Sequence, residues 1–236
     1  VTGWARRRFW ESARPAAADA GFAVALDDEP LNTPGEARLL LPTAALAAAI
    51  AEEWQAVEGE IQPERLPLTR LAVAAIDQIA PAPGSLVEAV AAYGGTDLLC
   101  YRAEEPEALA RRQGALWDPL LDWAERTFGA TLVPVEGVMH FPQPEASLAA
   151  LRREVERLDA FRLAGLAELV MLSGSLVLGL AVARTVLRGE EAWPLSRVDE
   201  DWQIEQWGED AEAAAAAARR RSEFLAAERF VRLVDA

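Results

Sequence analysis

Up to about residue 42 the apolar positions come in short runs; beyond it they recur at helical spacing. Arg8–Ser12 and Gly21–Asp27 have strand character, Asp27-Asp28-Glu29-Pro30 is a turn signal, and Ala37–Leu41 is a third candidate strand ending at Pro42. These predict a small antiparallel sheet, with a possible extra strand at Thr131–Glu136. Leu46, Ile50, Trp54 and Val57 share one face of a helix that Gly59 can end. Leu68, Leu71, Ala75 and Ile79 mark a second, stopped by Pro81 and Pro83. Ser85 can cap a short helix ending near Gly94-Gly95. Pro106 suits a first helical turn, and so does Pro119 after a capping Asp118. Leu148, Leu151, Val155 and Leu158 form a further stripe, and Asp159 can cap the helix beginning near Phe161. The expected fold is an α+β N-terminal domain (small antiparallel sheet plus helix) over residues 1–62. A larger, mostly α-helical domain occupies residues 63–236.

The run Leu163–Ala183 carries one charge, Glu168, and is long enough to cross a bilayer. Yet Ser173-Gly174 resembles a helix ending, and Ser175 can cap a new helix. Arg157, Arg162, Arg184 and Arg188 flank the run without a one-sided positive bias. Two buried helices, with no stable membrane insertion, are the better reading.

Composition narrows the chemistry. The chain has 236 residues, 52% hydrophobic and 26% charged, which is an ordered globular composition. Net charge is −15, so a phosphate-neutralising nucleic-acid binder is disfavoured. Every base is arginine, which removes lysine nucleophiles, Schiff bases and a Walker-type phosphate lysine. One cysteine and one histidine rule out an intrachain disulfide, a thiolate cluster and a multi-histidine metal site. Cys100 reads as a small core residue and His140 as a hydrogen-bonded structural one. No Gly-rich phosphate loop or Gly-x-Ser-x-Gly elbow occurs, and Gly174 and Gly179 read as sites of close helix packing. No cofactor or metal is expected. The N-terminus lacks a secretory apolar core, and Arg6, Arg7 and Arg8 read as exposed arginines on a strand rather than the end of a trimmed transit peptide. Eight tryptophans and many acids leave a carboxylate-pair hydrolase as an alternative. However, Trp54 and Trp123 sit at helical apolar positions, where core packing is the default.

One segment stands out. Asp199–Glu212 holds seven acids, with no base between Arg197 and Arg219. At about 100° per residue, Asp201, Glu205, Glu209 and Glu212 fall within an arc of about 80°. Ile204, Trp207 and Ala211 lie opposite, and Trp202 sits at the edge. The segment therefore predicts one amphipathic helix with an outward acidic ridge. Without nearby cations its charges repel, so neutralising one should leave stability equal or raised. A solvated face, a protein-contact ridge and a metal site all remain open from composition.

Ordered segments along nearly the whole chain carry a resemblance. They include Arg8-Phe9-Trp10, Leu26–Pro34, Glu53-Trp54-Gln55, Pro67–Leu71, Thr96–Ala103, Gln113, Trp117–Leu121, Ser173–Leu178 and Asp199–Gly208. Together they resemble the assembly chaperone family of the ATP synthase alpha subunit, found in mitochondria and alpha-proteobacteria. Asn32 stands where that pattern has Lys, and Val73-Ala74 replaces an Ala-Asn type pair. The resemblance implies a non-catalytic protein that binds the unassembled alpha subunit, prevents its aggregation and yields it to the beta subunit. It implies partner contact at Glu205, supported by Asp210. Asp201, Glu209 and Trp202 join them as partner-binding candidates from the ridge itself. A monomer in the bacterial cytoplasm, with eukaryotic relatives in the mitochondrial matrix, is the accompanying expectation.

Overall fold

The computed structural model describes residues 7–236 as two compact units. The first runs through Pro83 and includes Asp159–Gly165 and Arg229–Ala236. The second comprises Gly84–Leu158 and Leu166–Glu228. This differs from a single division after residue 62, because segments remote in sequence pack with the sheet and its first helices.

In the first unit, β1 (Ala13–Ala18), β2 (Gly21–Leu26) and β3 (Glu29–Pro30) form an antiparallel sheet in that order, in register from Ala13↔Leu26 to Ala18↔Gly21. Pro15 is tolerated because β1 is an edge strand. Arg8–Ser12 is not a strand. The Arg8 guanidinium instead takes the carbonyls of Trp10, Glu11, Gln55 and Val57 at 2.8–2.9 Å, and Arg7 makes only an isolated bridge to Glu60. Arg6 lies outside the described residues. Ala37–Leu41 likewise supplies only bridges, Phe22↔Leu41 and Asn32↔Arg38, with Leu39 and Leu41 in the core.

Thr43 Oγ1 accepts from Leu46 N at 3.1 Å and starts α1 (Ala44–Gln55). The expected apolar face of α1 is buried through Leu46, Ile50 and Trp54. Its Glu53 accepts from Leu68 N at 2.8 Å and Thr69 N at 2.9 Å, capping α2 (Pro67–Val73). A wider π turn, Ala74–Ile79, continues α2. Burial raises the Glu53 carboxyl pKa despite these hydrogen bonds.

The second unit contains α3 (Gly84–Ala92), β4 (Tyr101–Arg102) and α4 (Glu107–Phe128). β5 (Val135–Glu136) pairs in parallel with β4, so the strand expected near Thr131–Glu136 does not extend the N-terminal sheet. Pro119 does not begin a helix; α4 runs through it. An interior proline costs about 3 kcal/mol. Burial of Trp117, Leu120, Leu121 and Ala124 around it offsets that cost, and Trp117 Nε1 donates to Leu195 O at 2.8 Å. Ser85 lies inside α3 rather than ahead of it. Next come α5 (Glu145–Glu156), α6 (Ala160–Ser173), α7 (Leu176–Ala183), α8 (Gly189–Leu195), α9 (Val198–Trp207) and α10 (Ala211–Val234). Both α6 and α10 have segments in each unit. Asp159 Oδ1 caps α6 by accepting from Phe161 N at 2.9 Å and Arg162 N at 3.0 Å.

The long apolar run breaks where Ser173-Gly174-Ser175 predicts. Gly174 has φ 74°, and Ser175 Oγ accepts from Leu178 N at 3.0 Å. Among the described residues, no helix is long and apolar enough to cross a membrane. Gly179 fits the close-packing reading, since a Cβ there would lie 2.6 Å from Val170 Cγ2. Fully buried Asp97 completes the junction. Its Oδ2 accepts from Val177 N and its Oδ1 from Leu99 N, both at 3.0 Å, while Leu98 N donates to Gly174 O at 3.1 Å.

Burial outweighs these hydrogen bonds and pushes the Asp97 carboxyl from 3.8 up to about 6. The folded state therefore holds this proton more tightly than the unfolded chain. The resulting stabilisation is complete below about pH 4 and is lost as pH rises through about 6. Asp97→Asn cannot titrate there. In urea unfolding, its stability deficit relative to wild type should narrow from pH 4.5 to pH 7; a constant deficit would show that Asp97 does not titrate in this window.

At Gly174 a Cβ would meet only Leu98 Cβ, at 3.8 Å. Backbone strain, rather than overpacking, therefore sets the cost of substitution. Gly174→Ala should lose about 1–2 kcal/mol of stability, and an unchanged thermal midpoint would contradict this.

Candidate functional site

The acidic segment is not one helix. α9 ends at Gly208, whose φ of 89° breaks the turn, and α10 starts at Ala211. The faces of α9 depart in part from the expectation, since its acid-bearing side also packs. Trp207, expected inward, is 79% exposed, whereas Val198 is buried and Asp201, Trp202 and Ile204 are half-buried. The inward side of α9 meets α4 and carries Asp201, Trp202 and Glu205.

Arg112 of α4 packs against the acid-bearing side of α9. Its Nη1 and Nη2 donate to Glu205 Oε1 and Oε2, each at 2.8 Å, in a bidentate pair. Its guanidinium carbon also lies 4.7 Å from the Trp202 ring centroid, a cation–π contact. The Arg112 hydrogen bonds hold the Glu205 carboxyl below its ordinary pKa, and the same bonds raise that of Arg112. Arg197 Nε lies 3.6 Å from Asp201, and Arg197 Nη1 lies 3.7 Å from Glu200. The ridge is therefore supplied with cations. Sequence periodicity could not reveal Arg112, which stands 93 positions from Glu205.

Asp201, Trp202 and Glu205 thus form one cluster. Glu209 and Asp210 lie beyond the break, both exposed. Asp210 Oδ1 accepts from Ala213 N at 2.8 Å and caps α10. Beside the cluster, buried Gln113 donates to Asp199 Oδ1 at 2.6 Å and accepts from Ala103 N at 2.7 Å. Buried Arg102 donates to Asp118 Oδ1 at 2.7 Å and stacks 5.2 Å from the Trp117 ring.

Among the described residues, no three His, Cys, Asp or Glu side chains are placed to hold a metal ion. Cys100 is buried, and burial pushes its thiol up to about 12, so it is not a thiolate at neutral pH. His140 is exposed, with Nδ1 3.5 Å from the Tyr101 hydroxyl.

The fold is a small antiparallel sheet followed by a mostly helical region, with α9 as an acid-bearing surface helix. The family model of the ATP12 chaperone protein matches residues 7–125. The chain is 50% identical to Atp12 of Paracoccus denitrificans, with TM-score 0.92 and coverage of 97% of this chain and 98% of that one. An aspartate-to-lysine mutant of the Paracoccus protein matches at 49% identity and TM-score 0.93, over 99% and 100% of the two chains. The mitochondrial protein atp12 of Schizosaccharomyces pombe is 25% identical over 214 residues, covering 86% of this chain and 74% of the yeast one. The chain belongs to the ATP12 chaperone family.

The pairing reverses the expectation for charge removal. Glu205→Gln should lower the thermal midpoint slightly rather than raise it. Because the folded pKa of Glu205 is depressed, its stabilisation is present above about 4.5 and lost as pH falls through the folded value. The deficit of the variant should therefore shrink in acid, and a midpoint above wild type at pH 7 would refute the pair's contribution.

Proposed function

We propose that this protein is an ATP-independent assembly chaperone for the ATP synthase. It binds the unassembled alpha subunit, keeps it from aggregating and yields it to the beta subunit. It is not an enzyme, needs no cofactor and acts as a monomer in the bacterial cytoplasm. The observation that carries this reading is membership of the ATP12 chaperone family across nearly the full length of a related solved chain.

The client contact in this reading centres on Glu205, with Asp201 and Trp202 beside it and Glu209 and Asp210 beyond Gly208. Arg112 occupies both Glu205 oxygens, yet the Glu205 side chain remains 50% exposed. Each carboxylate oxygen can accept a further hydrogen bond, so a client arginine or backbone amide can share it. Contacts of this kind orient a partner and speed encounter without a large permanent apolar interface. That suits a chaperone that must release its client.

The test is to mix the chain with unassembled alpha subunit and follow aggregation by light scattering, with unfolding measured in parallel. Wild type should suppress aggregation. Glu205→Gln should protect less while remaining folded, and Glu205→Lys should be worse because it places two cations beside a basic client patch. Normal protection by a folded Glu205→Lys protein would remove Glu205 from the contact.

A further inference from the structure

The second unit carries an apolar feature separate from the Glu205 cluster. Val138 and Met139 are 92% and 81% exposed, on the segment after β5. They line an open groove of about 490 Å³ together with Asp199 at the start of α9 and buried Arg102. Two adjacent large apolar side chains this exposed leave apolar surface in the free protein that a partner can cover. Methionine is suited to varied partners because its unbranched thioether adapts to their shapes.

The groove's charge identifies its occupant. Glu104, Glu105 and Asp199 contribute three acids. The one lining base, Arg102, is already bonded to Asp118. An anionic ligand would meet more repulsion than attraction there. Arg102 nevertheless retains two buried atoms, Nε and Nη1, with no hydrogen-bond partner among the described residues. A buried unmet donor is costly, and a neutral carbonyl oxygen could satisfy it without opposing the acidic rim. Both atoms are closed to solvent, so the groove wall must shift to admit that oxygen.

We infer that this groove is a second client contact, which takes an extended segment with apolar side chains flanked by arginine or lysine. The apolar side chains pack on Val138 and Met139, the flanking cations meet Glu104 and Glu105, and a backbone carbonyl faces Arg102. This deepens the proposed function and rests on it for the identity of the client.

Two probes separate the groove from that reading. The first is a fluorescein-labelled peptide of leucines and valines flanked by arginines, with a glutamate-flanked counterpart, titrated against the full chain by anisotropy. The second is suppression of alpha-subunit aggregation. The double variant V138S/M139S lies on an exposed segment and should keep the wild-type thermal midpoint. It should bind the arginine-flanked peptide about tenfold more weakly, as expected when central apolar anchors are truncated, and should protect the alpha subunit less. E104Q/E105Q should weaken peptide binding and reduce its salt sensitivity. The groove assignment is overturned if wild type does not bind the arginine-flanked peptide, prefers the glutamate-flanked one, or binds it equally after V138S/M139S. It is also overturned if sedimentation shows a dimer that V138S/M139S dissociates, since the occupant is then a second copy. Peptide binding in this pattern without alpha-subunit protection refutes the proposed client while leaving the groove's chemistry standing.

Discussion

α7 starts inside an apolar core, and its first amide groups need acceptors that its own helix cannot supply. Leu176 through Val182 are all buried, so bulk water cannot serve. Asp97 and Ser175 meet the need, and Asp97 also receives Leu99 N. Burying a carboxylate is costly, which is why its proton affinity rises. The helix N-terminus and the amide donors return part of that cost. The same junction positions β4. Leu98 is tied to Gly174, and the short turn Leu98–Cys100 leads directly into β4 and Arg102. Tyr101 and Arg102, which line the groove, thus follow directly in the chain from the turn that closes the break in the apolar run.

The first unit solves the same problem in the same way. Glu53 of α1 reaches the amides that begin α2, and Trp54 Nε1 adds a 3.1 Å bond to Thr69 Oγ1. In both units a partly or fully buried carboxylate supplies acceptors to the first amides of a helix that it does not belong to. The arginines provide a complementary device. Arg8 gathers four backbone carbonyls with one guanidinium, and Arg112 joins α4 to α9 through a planar fork and a ring face. A lysine has neither the fork nor the plane, so an arginine-only chain can hold its charged surface in defined geometry.

That geometry changes what the acidic helix can do. An unpaired ridge would be a diffuse electrostatic surface. Glu205 clamped by Arg112 is instead a fixed acceptor on a surface helix, with Trp202 stacked against the clamp. Half-exposed ion pairs are individually weak and screened by salt. In the proposed client contact they would favour fast and reversible association, with exposed Val138 and Met139 as the apolar component that such pairs lack.

Much of the architecture was legible because it derives from local rules. Asp159 and Ser175 were readable as caps, Gly174 as a break, and Leu46, Ile50 and Trp54 as a buried face, since side-chain-to-amide reach and helical period are short-range properties. Family membership was readable from ordered segments along the chain. Several of the misread elements depended on partners far away in sequence, whereas the break at Gly208 was a local signal. Within Arg8–Ser12, the Trp10 and Glu11 carbonyls went to the Arg8 guanidinium instead of a strand. Pro119 stayed inside α4 because Trp117 and Leu120 found a core, and Val135–Glu136 paired with Tyr101–Arg102 rather than with the N-terminal sheet. Periodicity placed Ile204 on a packed side, where it is half-buried, but it did not show that Arg112 would also pack the acid-bearing side of α9. An amphipathic pattern ranks positions by polarity, whereas a bidentate partner can make the polar face the packed one, and only the tertiary structure brings that partner within 2.8 Å.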